Sequence, residues 1–101
     1  MNIFIVEDDY ELNEVLTQSL EVLGYKVTTF TDGQAAFNGV SEDFNIYLVD
    51  INLPSINGLE LIKQIKLLNS NAKIFIISGD TNIETIVKLL IKSGLFLQLF
   101  L

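Results

Sequence analysis

The sequence predicts an α/β fold: a doubly wound parallel sheet with helices on both faces. Three observations predict it. Short apolar runs of strand length recur four times, at residues 3–6, 25–30, 45–49 and 73–78. After each run the apolar spacing switches toward the helical i, i+3, i+4 pattern, and such alternation argues for parallel strands joined by helices. Acidic side chains also stand at the carboxyl ends of the first and third runs, where open parallel sheets place their working crevice.

The first run, "IFIV", is continuously apolar, as expected of a strand buried on both faces. Leu12, Val15, Leu16, Leu20 and Leu23 then recur at helical spacing, and Gly24 sits where a helix C′ residue belongs. "YKVTTF" is rich in β-branched and aromatic residues and reads as the second strand. Asp32-Gly33 opens a short helix running to about Val40, and "NIYLV" is the third strand. Leu59, Ile62, Ile65 and Leu68 mark the next helix, and "KIFIIS" is the fourth strand. Thr81 and Glu84 resemble a capping box. The helix they open carries Ile83, Ile86, Val87 and Leu90 on one face, with Glu84, Lys88 and Lys92 stacked on another; Ser93-Gly94 stops it.

A chain of 101 residues argues for one domain, and half of its residues are hydrophobic, enough for a core. No repeat, linker or low-complexity tract interrupts it. The absence of cysteine removes disulfides and thiolate chemistry, and the absence of histidine removes the commonest general base and transition-metal ligand. A net charge of −7, with six lysines as the whole basic complement, repels phosphate backbones, so this chain alone is not expected to bind nucleic acid. It suits a hard cation such as Mg²⁺. "MNIFIVEDD" is neither a signal peptide nor a membrane span, and a soluble cytoplasmic protein is expected.

Asp50 is read as the first residue past the third strand. Glu7 and Asp8 hold the same place on the first strand and Ser78 on the fourth. If the first and third strands are neighbours, the carboxylates converge. Like charges about 4 Å apart repel by roughly 4 kcal/mol at an effective dielectric near 20, so protons or a cation must relieve them. With no histidine or cysteine present, Mg²⁺ is the natural relief. An aspartate beside it can act as a nucleophile toward a phosphoryl group. Taken singly, the same residues read more plainly: Asp50 as a turn or cap, Glu7-Asp8-Asp9 as a helix start favoured by the macrodipole, Ser78 as a loop hydroxyl.

"FIVEDD", "YLVDINLPSINGLEL" and "FIISGD" together resemble the receiver domain of two-component response regulators, over residues 1 to about 94. The resemblance implies a flavodoxin-like (βα) repeat and a signalling domain rather than an enzyme, with at most self-catalysed phosphorylation and dephosphorylation. It implies that Asp50 is the phosphoacceptor, served by a histidine kinase or phosphotransfer protein. Glu7, Asp8 and Asp50 would hold Mg²⁺ with the backbone carbonyl of Asn52, and Ser78 would be the switch hydroxyl.

The chain departs from the family after Gly94, where "LFLQLFL" follows. The family's lysine would fall near Leu101, and no lysine occurs after Lys92. Gln98 falls near the aromatic switch position, and the last helix is expected to be lacking. The unit is therefore read as a single receiver-like domain, 1–101, truncated or altered after Gly94. A sheet face left bare predicts a homo-oligomer. Two other functions stand beside the first: a receiver-shaped interaction or dimerisation module that has lost its switch, and a phosphatase of the haloacid-dehalogenase type. The latter wants a second aspartate two residues after the nucleophile, where this chain has Asn52.

Overall fold

The computed structural model of the protein describes residues 1–77 and 98–100. Along the chain run β1 (Asn2–Val6), α1 (Tyr10–Val22), β2 (Lys26–Phe30), α2 (Gly33–Gly39), β3 (Ile46–Asp50), α3 (Gly58–Leu68), β4 (Lys73–Ile77) and β5 (Gln98–Phe100). The strands form one sheet in the order β2-β1-β3-β4-β5, and every pair is parallel. The chain winds from β1 outward to β2, then returns to the other side of β1 with β3. The order reverses between β1 and β3, which makes that junction the switch point of a flavodoxin-like α/β fold. β5 lies within the "LFLQLFL" segment and pairs with β4, Gln98 beside Phe75. Ser78, the capping box at Thr81, the helix expected after it and the expected lack of a last helix all fall outside the described residues.

The core lies between the sheet and the α2–α3 layer. Phe4 and Val6 of β1, Tyr47 and Val49 of β3, and Ile74 and Ile76 of β4 point to that side, as alternate residues of a strand must. Ala36 of α2 and Leu61, Ile62 and Ile65 of α3 close over them. The Phe4 ring meets those of Phe30, Phe44 and Tyr47 at centroid distances of 5.2, 5.2 and 5.6 Å. Packing four large rings, Phe4 and Tyr47 buried and Phe30 and Phe44 partly so, around one strand position anchors β1 at the centre of the sheet.

The helix ends follow from local chemistry. Asp9 caps α1 by accepting hydrogen bonds from the Glu11 and Leu12 N–H groups, and Asn57 caps α3 by accepting from Leu59. α1 closes with Gly24 at φ 93°, its N–H donating to Glu21 while the Tyr25 N–H donates to Leu20. That pairing is a Schellman stop and requires the left-handed conformation glycine tolerates.

Three expectations shift. Asp50 is the last residue of β3 rather than the first past it, because it still pairs with Ile77 and the ladder continues through Ile51 N–H to the Ile77 carbonyl. Leu68 is half exposed, and Leu61, Ile62 and Ile65 carry the buried face of α3. The apolar stripe of α1 is only partly covered, with Val15 59% and Leu23 70% exposed. Leu16, Leu20 and Leu23 wall a groove floored by Ile3, Ile46, Leu48, Phe75 and Ile77. Among the described residues no element closes it.

Candidate functional site

The parallel register dictates where the acids meet. Val6 of β1 lies beside Val49 of β3, so the next residues, Glu7 and Asp50, leave the same edge of the sheet together. Asp8 follows in the turn into α1. One carboxylate oxygen from each of Glu7, Asp8 and Asp50 lies within 4.8 Å of the others. Glu7 is 4% exposed and Asp50 7%, whereas Asp8 is only partly covered. Asp50 Oδ1 accepts the Asn52 N–H at 2.8 Å, which folds the start of the β3–α3 loop back over the strand end. Ser78, the fourth residue expected here, lies outside the described residues.

The electrostatics are unfavourable without a counter-charge. At an effective dielectric near 20, two charges about 5 Å apart repel by roughly 3 kcal/mol. Glu7 Oε2 is buried and has no hydrogen-bond partner among the described residues. Burial first, then the neighbouring Asp50 and Asp8 carboxyls, push the Glu7 carboxyl up to about 8. The Asp8 carboxyl is raised as well, first through its hydrogen-bonding approach to Asp50, then by burial and the Asp50 charge. An orphaned, buried oxygen facing two further carboxylates is a donor set of hard oxygens. It fits Mg²⁺ or Ca²⁺, and a chain without histidine or cysteine offers no softer alternative.

The surrounding loops are held by two connections that periodicity does not reveal. Asp32 caps α2 through the Ala35 N–H at 2.9 Å, and its other oxygen accepts the Ser55 hydroxyl at 2.7 Å. The Ser55 hydroxyl, then the Ala35 N–H, holds the Asp32 carboxyl below its usual range. This ties the β2–α2 turn to the loop that follows Asp50. The second connection is Asn13, a buried amide on α1 bonded to the carbonyls of Glu7 and Phe30. Its sequence signal was a polar residue three and seven positions before Leu16 and Leu20, on the inner side of the helix.

The curated relatives and solved structures agree on one family. The chain is 43% identical to the transcriptional regulatory protein CrdR of Helicobacter pylori over 79% of its own length and 39% of the relative's. It is 36% identical to the transcriptional regulatory protein CssR of Bacillus subtilis, over 86% of its length and again 39% of the relative's. The chain thus spans about two fifths of these relatives. Among solved structures it is similar to a response regulator protein from Burkholderia pseudomallei with a phosphorylated aspartic acid, a calcium ion and citrate. That likeness has 28% identity and a TM-score of 0.81, and covers 97% of this chain and 58% of that one. The family model for the response regulator receiver domain matches residues 3–99, and the chain belongs to that family.

Proposed function

We propose that residues 1–101 form one receiver domain in which Asp50 accepts a phosphoryl group from a histidine kinase or phosphotransfer protein of a two-component system. The observation that carries the proposal is the convergence of Glu7, Asp8 and Asp50 around a buried carboxylate oxygen with no hydrogen-bond partner among the described residues. A carboxylate oxygen of Asp50 attacks phosphorus as the bond to the donor's histidine nitrogen breaks, and an acyl phosphate forms on Asp50. The Asn52 N–H on Oδ1 orients the acceptor. Glu7, Asp8 and Asp50, with the backbone carbonyl of Asn52, would hold Mg²⁺, which when bound offsets the crowded negative charge at this edge. Ser78 is assigned the switch hydroxyl.

Receiver domains are signalling domains, and the phosphatase alternative lacks its second aspartate at Asn52. The intact acidic cluster disfavours an interaction module without phosphorylation chemistry. Among the described residues no helix is long and apolar enough to cross a membrane. With Mg²⁺ and a small-molecule phosphodonor, intact-mass measurement is expected to give a labile phosphoryl adduct that disappears completely in Asp50→Asn. An adduct that persists in the variant, or none in the wild type, would remove the assignment. The groove beside α1, which no described element closes, supports self-association as a further part of the proposal. Sedimentation velocity is expected to give a dimer or larger species; a monomer at concentrations on the order of tens of micromolar would remove that part.

A further inference from the structure

Asn13 is the one fully buried side chain of α1, and the functional reading above does not use it. Burying an amide is costly unless its donors and acceptors are all engaged. Here they are. Nδ2 donates one hydrogen to the Glu7 carbonyl at 3.1 Å and the other to the Phe30 carbonyl at 3.0 Å. Oδ1 accepts from the hydroxyls of Thr29 and Thr17. The reverse amide orientation would set Oδ1 against two carbonyl oxygens, so the network admits only this one.

The bonds close a ring around Glu7. Its N–H donates to the Phe30 carbonyl at 3.0 Å, the oxygen that Asn13 also engages, and its own carbonyl receives the second Asn13 hydrogen. Both main-chain polar groups of Glu7 are therefore fixed at the point where β1 ends. The side chain is less firmly held, because Oε2 has no hydrogen-bond partner among the described residues. Its placement comes from the backbone. The peptide that joins Glu7 to Asp8 includes the carbonyl Asn13 holds, so the direction of Asp8 depends on the same bond.

We propose that Asn13 is a positioning residue for the cation site: through the Glu7 carbonyl it sets the Glu7 and Asp8 carboxylates toward Asp50 before any ion arrives. This rests on the reading of Glu7, Asp8 and Asp50 as that site. Preorganised donors bind more tightly because less order is imposed on binding, and outer partners of ligands commonly carry such effects.

The test is Mg²⁺ affinity by titration calorimetry, with amide hydrogen exchange in the metal-free protein. Asn13→Leu keeps the volume and removes both donors; it is expected to weaken Mg²⁺ binding about 10-fold and to speed exchange at the Glu7 N–H, which donates to the Phe30 carbonyl that Asn13 also holds. Thr29→Val, which only loosens the orientation of Asn13, is expected to weaken it about 3-fold. Ile65→Val serves as a control for general destabilisation and should lower the melting temperature without changing affinity. Affinity within twofold of wild type in Asn13→Leu would overturn the proposal. If that variant does not fold, unchanged affinity in Thr29→Val overturns it instead. A wild type that takes up no Mg²⁺ defeats the functional reading and this inference with it, a result distinct from equal binding by wild type and variant.

Discussion

Magnesium is expected to raise the melting temperature strongly near pH 8 and only slightly near pH 5, the opposite of a pH-independent structural ion. The cause is the Glu7 carboxyl, held at about 8 in the folded protein against an ordinary 4.5. Between those values the unfolded chain has released its proton while the folded one retains it, so folding takes up a proton. The contribution of this one group to metal-free stability is thus fully present below about pH 4.5 and falls as pH rises toward 8, by up to ~5 kcal/mol. Asp8, also raised, acts in the same direction. A cation needs the ionised carboxylates. Near pH 5 it must displace the Glu7 proton; near pH 8 that proton is already half gone. Apparent affinity should climb by up to ~10-fold per pH unit across the interval. Thermal melts with and without Mg²⁺ across this range measure it directly. Glu7→Gln should flatten the metal-free pH profile, stabilise the metal-free protein near pH 8 and remove most of the magnesium increment. Equal increments near pH 5 and pH 8 in the wild type would sink the account.

The acids were legible because their positions follow from one local fact, where an apolar run stops, and one consequence of the fold class, that the first and third strands of a doubly wound sheet are neighbours. Caps were legible for the same reason. Asp9 and Gly24 act on groups within a few residues, so the sequence around them contains their partners. Asn13 and the Asp32–Ser55 bond were not legible. Their partners lie on other elements, 17 residues away for Asn13 and Phe30 and 23 for Ser55 and Asp32. Asparagine and aspartate are common at turns and caps for generic reasons, which hides a specific use. The exposure of α1 was hidden too. Helical spacing reveals that a stripe exists, whereas its coverage depends on what packs across β3 and β4. At Asp50 the acid was legible and its strand boundary was one residue off, because the ladder to Ile77 persists past the apolar run.

Gly58→Ala is expected to destabilise the protein by about 2–3 kcal/mol, a fall in melting temperature of roughly 10–20 °C for a domain of this size. Gly58 opens α3 directly against the end of β3. A Cβ there would lie 2.7 Å from the Ile51 Cα and 2.9 Å from both the Asp50 and Ile51 carbonyl oxygens. These are backbone atoms and have no rotamer to escape into. Alanine would favour the helix by at most ~1 kcal/mol, and less at its first residue, so the overlap decides the sign. Gly33 provides the contrast. A Cβ there meets the Ile56 Cγ2, a side-chain methyl that a χ1 rotation can move, with no backbone atom among its three nearest neighbours, so Gly33→Ala should cost less. The Gly58 clash falls on the carbonyl of Asp50 itself. Relief requires α3 to lift or the end of β3 to move, and either displaces Asp50 from Glu7 and Asp8. Gly58→Ala should therefore weaken Mg²⁺ binding as well as stability, whereas Gly33→Ala should lower stability with little change in affinity. Urea denaturation and magnesium titration of the two variants separate these effects. A Gly58→Ala protein as stable as wild type would mean that α3 does not approach β3 this closely, and the mutual placement of the three carboxylates would lose its support.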